Sequence, residues 1–264
     1  MTRRRADVVL AELGFFPSRE KARAAILAGE VRIDGEVVDK AGRPIEDTAR
    51  IEVAQAPRFV SRGGLKLAGA LEKFEIPVKG VRAVDVGAST GGFTDCLLQS
   101  GVSSVTAIDV GYGQLAWSLR NDERVTVFER TNIRSVVPQD VGAPFGMAVV
   151  DVSFVALATV VPHVVALLSD AGTLLALVKP QFEAGKGNVG KRGVVREPET
   201  HERVLRSVVE RVRGLGLLVR GLTWSPITGP EGNIEFWVWA DRHGPDTGVD
   251  PHAVVREAHE SLGV

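Results

Sequence analysis

Val84-Asp85-Val86-Gly87-Ala88-Ser89-Thr90-Gly91-Gly92-Phe93 decides the fold of this chain. A short apolar run carries one carboxylate, glycines break it, and a helical pattern follows. Such a strand–glycine–helix turn lets a ligand approach the backbone at the strand's carboxyl end. Working outward, apolar or alternating runs predict strands at 83–86, 105–109, 125–128, 147–151, 174–178, 217–224 and 234–240. Helical or polar stretches of crossover length separate the first five, which is the rhythm of a parallel α/β sheet. The last two lie close together across a Pro/Gly loop at 225–233, so a closing antiparallel hairpin is expected. A polar loop at 241–250 and a short terminal helix at 251–262 complete the pattern.

The residues before this sheet have a different texture. From Arg3 to Glu12, Val8, Val9 and Leu13 punctuate a basic background and read as a first helix. Ser18 is a candidate N-cap for a second helix with a buried stripe of Ala22, Ala25 and Ile26, stopped by Gly29. Residues 31–38 alternate around Asp34-Gly35, a hairpin signal, and 50–53 adds one more strand. Two short helices with a small sheet make a unit of about 55 residues, near the lower size limit for independent folding. The expected boundaries are 1–55 for this unit, 56–62 for a linker containing Pro57, and 63–264 for the sheet domain.

Charge and cysteine usage narrow the function classes. With 32 Lys+Arg against 33 Asp+Glu, global charge neither requires nor excludes a nucleic-acid partner; only local patches do. A single cysteine, Cys96, excludes an internal disulfide framework and a multi-cysteine zinc site, and fits a reducing cytoplasm. No metal site is expected. Met1-Thr2-Arg3-Arg4-Arg5 imitates the start of a signal peptide, but Asp7 and Glu12 interrupt the apolar core that should follow. No apolar run reaches the roughly 18 residues of a membrane helix. A cytoplasmic protein without membrane contact is the expectation.

The glycines at 87, 91 and 92 miss the G-x-G-x-x-G spacing of a dinucleotide loop, which disfavours a nicotinamide dehydrogenase. Asp85 is also a poor neighbour for a pyrophosphate. S-adenosylmethionine has no phosphate and carries an ammonium and a sulfonium, so it tolerates that carboxylate. Asp109, 24 residues beyond Asp85, ends the second strand, where a carboxylate takes both hydroxyls of a ribose. The plainer alternative is a turn residue before Gly111. Asn132, after the third strand, is placed to read an adenine edge. The candidate cofactor set is Asp85, Gly87, Ala88, Ser89, Thr90, Gly91, Gly92, Phe93, Asp109, Val110 and Asn132.

Open α/β sheets place their sites at strand carboxyl ends. Asp151 ends the fourth strand, Lys179 the fifth, Glu235 lies in the last, and Lys66 sits on a helix before the first. Two lysines and two carboxylates suit methylation of a ribose 2′-hydroxyl. That hydroxyl is a poor nucleophile and needs a base, and a lysine serves only when neutral. A second ammonium nearby favours loss of its proton, and carboxylates orient the pair. Taken singly, a strand-end Asp is often a helix cap and a lone Lys usually solvates.

Residues 3–54 resemble the S4 RNA-binding domain, on Leu10, Gly14, Ser18-Arg19, Ala22, Ile26, Gly29, Val31, Ile33, Asp34-Gly35 and Ile51-Glu52-Val53. In that domain the second helix and an adjacent loop present basic groups to structured RNA, which implies Arg3, Arg4, Arg19, Lys21 and Arg23 here. By composition alone the same cluster also reads as a solvated helix face. The seven-strand plan resembles the Rossmann-like methyltransferases. Lys66, Asp151, Lys179 and Glu235 match the Lys-Asp-Lys-Glu tetrad of FtsJ-like ribose 2′-O-methyltransferases. With Ser61-Arg62-Gly63, the glycine turn running on to Thr94, Asp109-Val110-Gly111-Tyr112-Gly113-Gln114-Leu115 and Lys179-Pro180-Gln181-Phe182-Glu183, the chain resembles the TlyA family from residue 3 to about 240. The resemblance implies S-adenosylmethionine as cofactor, Lys179 as base, and cytidines of 16S and 23S ribosomal RNA as substrate, naked or in ribosomal subunits. It also implies sensitivity to capreomycin-type antibiotics. One departure is the linker, where the family's Arg-x-Trp is replaced by Pro57-Arg58-Phe59.

The glycine-rich stretch 185–196, with Lys186, Lys191 and Arg192, reads either as a mobile loop that closes on RNA or as a solvated connector. Phe154, Phe182 and Trp237 flank the expected site, where they either stack on a flipped base or belong to the core. Two rival readings are a membrane-active haemolysin, a label often given to this family, and a non-catalytic RNA-binding protein. The first requires an insertion element that the sequence lacks; the second has no use for an intact tetrad.

Overall fold

The computed structural model describes residues 3–46, 48–54, 57–185, 187–244 and 247–263, with the side chain of Lys191 outside that description. The chain divides into two compact units, Met1–Arg58 and Phe59–Val264.

The first unit runs β1 (Arg3–Arg5), α1 (Ala6–Glu12), α2 (Arg19–Leu27), β2 (Val31–Ile33), β3 (Glu36–Val37), β4 (Pro44–Glu46) and β5 (Ile51–Val53). Ser18 caps α2, its Oγ accepting from Lys21 N at 3.3 Å. Ala6, Val9 and Leu10 of α1 pack on Ala22, Ala25 and Ile26 of α2 above Val31, Ile33 and Ile45. β2 is the middle strand of a three-stranded antiparallel sheet, between β3 and β5. The helix expected from Arg3 begins instead at Ala6. Arg3–Arg5 is a strand paired antiparallel to β4, with Arg4 opposite Ile45. The switch to helix is supported from outside: Ala6 N and Asp7 N donate to Arg43 O and Ala41 O, so two amides of the first helical turn have partners.

The second unit contains α3 (Gly63–Phe74), β6 (Arg82–Val86), α4 (Gly92–Gln99), β7 (Ser104–Ile108), α5 (Trp117–Arg120), β8 (Val125–Phe128), β9 (Phe145–Val150), α6 (Leu157–Val165), β10 (Leu168–Val178), α7 (Pro180–Glu183), α8 (Pro198–Gly214), β11 (Leu218–Trp224), β12 (Phe236–Asp241) and α9 (Pro251–Leu262). The strands form one sheet in the order β11-β12-β10-β9-β6-β7-β8. β12 runs antiparallel to both neighbours, and the ladders from β10 to β8 are parallel. This is the mixed α/β methyltransferase plan expected from the sequence. Alternation along the strands feeds two apolar layers. Val84 and Val86 join the layer with α6, α8 and α9, while Ala83 joins the layer with α3 and α4. Asp85 therefore faces the α3–α4 side. From β6 the chain steps one way to β7 and the other way to β9, so the topological switch point lies between β6 and β9.

Candidate active site

The turn after β6 approaches the end of β9 at this switch point. Gly87 has φ +87, and a Cβ there would stand 2.3 Å from the carbonyl oxygen of Asp151. Only glycine permits that approach. Its N–H donates to Ile108 O at 2.9 Å, tying the turn to β7. Asp85, just upstream, is fully buried. Its Oδ2 accepts from Thr94 Oγ1 at 2.7 Å, and its Oδ1 is buried without a hydrogen-bond partner in the structure. Burial pushes this carboxyl up to about 7 against the pull of Thr94, with smaller upward contributions from the charges of Asp151 and Asp109.

Asp109 is shaped by its own turn. Oδ2 accepts from Ser89 N at 2.8 Å and Oδ1 from Gly111 N at 2.6 Å. The two amides fix the carboxylate, and each oxygen keeps a second lone pair. A cavity of about 520 Å³ opens beside it, lined among others by Ser89, Val110, Asn132, Asp151 and Phe154. Asn132 Oδ1 accepts from Arg134 N at 3.0 Å, so what it can offer a ligand is its side-chain amino group. A second cavity of about 400 Å³ shares Gly87, Ser89 and Asp151 and is bounded by Ala88, Thr90, Gly92, Phe93 and Lys66. Gly91, at φ +94, begins α4 as its N-cap residue. The Phe93 ring is buried and lies 5.4 Å from Trp237, so its aromatic face serves the core.

The register of the sheet assembles the four charged residues. Val178 pairs with Phe236, Ala176 with Val150, and Val150 with Val86. Because β12 is reversed, its first residues meet the carboxyl edge of β10, which brings Glu235 beside Lys179. Lys66 Nζ lies 2.5 Å from Glu235 Oε2, and Lys179 Nζ lies 2.5 Å from Asp151 Oδ1. Lys179 also donates to Ser153 Oγ at 2.8 Å. None of the four side chains is more than 20% exposed. Burial raises the Glu235 carboxyl, opposed by Lys66 and then Lys179, while Asp151 adds to the rise. Each ammonium has its own carboxylate. The sequence placed Lys66 in the tetrad, with carboxylates orienting the lysine pair, and offered Ser153 no role; the one signal was a hydroxyl two residues after Asp151.

Of the aromatic residues expected near the site, Trp237 is fully buried in the core. Phe154 is 90% exposed and lies 5.2 Å from the ring of Phe182. In the first unit, Arg4 pairs with Glu12 at 2.5 Å, Arg19 with Asp7 at 2.9 Å and Arg3 with Glu46 at 3.6 Å, while Lys21 and Arg23 face solvent. Arg192 is exposed at φ +64. Lys186 and the side chain of Lys191 lie outside the described residues.

A reversed seventh strand, a glycine turn at the switch point and a Lys-Asp-Lys-Glu set joined in two ion pairs are features of a methyltransferase. The chain belongs to the TlyA branch of the FtsJ-like methyltransferases, matching FtsJ-like methyltransferase over residues 59–242 and the S4 domain over residues 4–51. It is 48% identical to the 16S/23S rRNA (cytidine-2′-O)-methyltransferase TlyA of Mycobacterium tuberculosis, over 90% of this chain and 89% of that one. It is 46% identical to YqxC of Bacillus subtilis, named as a candidate rRNA methyltransferase, over 98% of this chain and 95% of the relative. Among solved structures, a protein of Streptococcus thermophilus described as a candidate haemolysin has 41% identity and a TM-score of 0.76, covering 100% of this chain and 98% of its own.

Proposed function

We propose that this protein transfers the methyl group of S-adenosylmethionine to the ribose 2′-hydroxyl of cytidines in 16S ribosomal RNA, 23S ribosomal RNA or both. The observation that carries the reading is the juxtaposition of a buried ion pair, Lys66–Glu235, and a partly buried one, Lys179–Asp151, with a cavity edged by a fixed carboxylate, Asp109.

The residues present fit this cofactor. Gly87 leaves room for close approach, Asp109 keeps lone pairs for two ribose hydroxyls, and Asn132 offers a donor to an adenine ring. The unpartnered Oδ1 of Asp85 suits a cofactor bearing positive charge. A pyrophosphate fits less well, because the Ser89 amide that would hold it donates to Asp109. S-adenosylmethionine supplies, when bound, an activated methyl group on a sulfonium leaving group. Lys179 then takes the proton of the 2′-hydroxyl, and Asp151 and Ser153 hold its amine in place. Glu235 holds Lys66, which steadies negative charge as it develops on the 2′-oxygen.

RNA recognition is divided in this reading. Residues 1–55 form the RNA-binding domain, with Arg3, Arg4, Arg19, Lys21 and Arg23 toward phosphates, joined through 56–62 to a methyltransferase domain at 63–264. Exposed Phe154 and the basic stretch with Lys186, Lys191 and Arg192 receive the target strand. Loss of the protein then confers resistance to capreomycin-type antibiotics. A haemolysin would need a membrane-inserting element, and no helix among the described residues is long and apolar enough to cross a membrane.

Mapping 2′-O-methyl groups in ribosomal RNA from cells with and without the gene tests the reaction; identical maps would sink it. Calorimetry tests the cofactor. S-adenosylmethionine binds, Asp109→Ala weakens it by roughly 1–3 kcal/mol, and tighter binding of NAD would overturn the assignment.

A further inference from the structure

We infer that Glu183 is a positioning residue for methyl transfer, holding in register the segment 151–157 that carries Asp151, Ser153 and Phe154. The inference rests on the reading of the site proposed above. Glu183 closes the Lys179-Pro180-Gln181-Phe182-Glu183 motif and is not itself near the reacting groups by any contact in the structure. Its side chain is 4% exposed. Oε1 accepts from Leu157 N, the first amide of α6, at 2.6 Å, and Oε2 lies 3.9 Å from Arg211 Nη1 on α8. Burial raises the carboxyl, opposed by the Leu157 N–H and by Arg211.

The first amides of a helix have no partner within it, and an anion there is stabilised by the helix dipole. Residue 156, where a capping side chain normally sits, is alanine and makes no capping bond. The acceptor comes instead from a residue 26 positions away, on the turn that follows the lysine strand. Between the two segments lie three further contacts. Lys179 meets Asp151 and Ser153, and Phe182 packs on Phe154 at 5.2 Å. Glu183 to Leu157 is the most buried contact of this ladder and closes its far end.

The middle of the ladder needs such an anchor. Phe154 is held at φ +65 while its side chain is 90% exposed. A non-glycine residue in the left-handed region persists only when its surroundings determine it. With residue 157 pinned by Glu183 and residue 151 pinned at the end of β9, the five residues between have little freedom. Release of the Leu157 end lets Phe154 relax to negative φ, which moves Ser153 off Lys179 and Phe154 off Phe182 while Asp151 stays at the end of β9.

The test uses the full-length protein with three variants, Glu183→Ala, Glu183→Gln and Arg211→Ala. A glutamine keeps an oxygen that accepts from Leu157 N; an alanine does not. Glu183→Ala is expected to lower kcat by about 10- to 100-fold, the scale of an ångström-sized misplacement, with S-adenosylmethionine affinity within about threefold. Glu183→Gln restores most of kcat, and Arg211→Ala leaves it near wild type. Amide exchange, read without any turnover, speeds up across 151–157 in Glu183→Ala and not in Glu183→Gln. Wild-type kcat in Glu183→Ala, equal losses in the alanine and glutamine variants, or faster exchange confined to Leu157 would each overturn the role. If the wild-type protein methylates no ribosomal RNA, the proposed function fails, and the exchange pattern still decides whether Glu183 orders the segment.

Discussion

Asp7 and Asp85 both have almost no solvent-accessible surface, yet they settle at opposite ends of the carboxylate range. Asp7, in the S4 unit, receives Arg5 Nε and Nη2 at 3.0 Å and Arg19 Nε at 2.9 Å. The Arg5 hydrogen bonds, joined by those of Arg19, overcome burial and hold it at about 2. Asp85, in the methyltransferase unit, accepts from the neutral hydroxyl of Thr94, with a smaller contribution from the Thr94 backbone N–H, and burial lifts it to about 7. Burial raises both carboxyls, and the number and charge of the donors set how far that rise is offset. The difference also separates what the two units are built for. The first sinks an anion to fix the direction of two surface guanidinium groups. The second keeps a buried carboxyl on a neutral hydroxyl, two residues before the glycine that lines both cavities.

The largest expected effect tests whether the division of labour is real. Lys179→Ala should lower turnover by about 10²–10⁴-fold, the range of a lost general base, while salt-dependent RNA binding stays. Single-turnover assays beside filter binding check both, and parallel losses of rate and RNA affinity would erase the distinction. Next comes Asp85→Asn. A raised carboxyl favours the folded state fully below the ordinary carboxylate range and loses that contribution as pH rises through about 7. Urea unfolding at pH 8 should therefore find the asparagine variant more stable by roughly 1–3 kcal/mol, and the gap should close by about pH 4. A less stable variant at pH 8 would mean that Asp85 has a charged partner after all.

Asp7→Ala should move the other way. A depressed carboxyl stabilises the fold above its ordinary range and loses that contribution as pH falls through about 2. The half-exposed arginines weaken the effect, so the expected loss at pH 7 is about 1–2 kcal/mol, vanishing on acidification below the carboxylate range. Unfolding curves at pH 7 and pH 2 test this. RNA affinity should fall with it, since Arg5 and Arg19 lose their anchor. The smallest effect is expected from Ser153→Ala, which removes one hydrogen bond to Lys179. Turnover should drop severalfold, equivalent to about 0.5–1.5 kcal/mol, without change in cofactor affinity by calorimetry.

The sheet was legible because each of its strands is an apolar run with turn residues on both sides, and the Pro/Gly loop after Trp224 announced the reversal. The pairing of Arg3–Arg5 with Pro44–Glu46 was not, because three arginines show no alternation and their partner lies some 40 positions away. The charged members of the candidate site could be read from the rule that strand ends carry the chemistry. Which lysine meets which carboxylate could not. Lys66 and Glu235 are 169 positions apart, and only the register of β12 against β10 brings them together. The arginines of the first unit could be counted, but their pairing with Asp7 and Glu12 depends on where α1 meets α2. Trp237 and Phe154 looked alike in sequence; one lies inside a strand of the core and the other on a left-handed turn, and the local pattern does not tell them apart.

Gly87 carries a consequence for how this protein fails. Its missing side chain is filled by the backbone of Asp151, so the cofactor turn and the end of β9 occupy one shared space. A single-base change that puts any side chain there has two faults at once, a forbidden backbone angle and a collision with the strand end that bears Asp151. Selection for loss of methylation should thus recover position 87 as readily as the charged residues themselves. Such alleles are silent in any screen that scores only the tetrad.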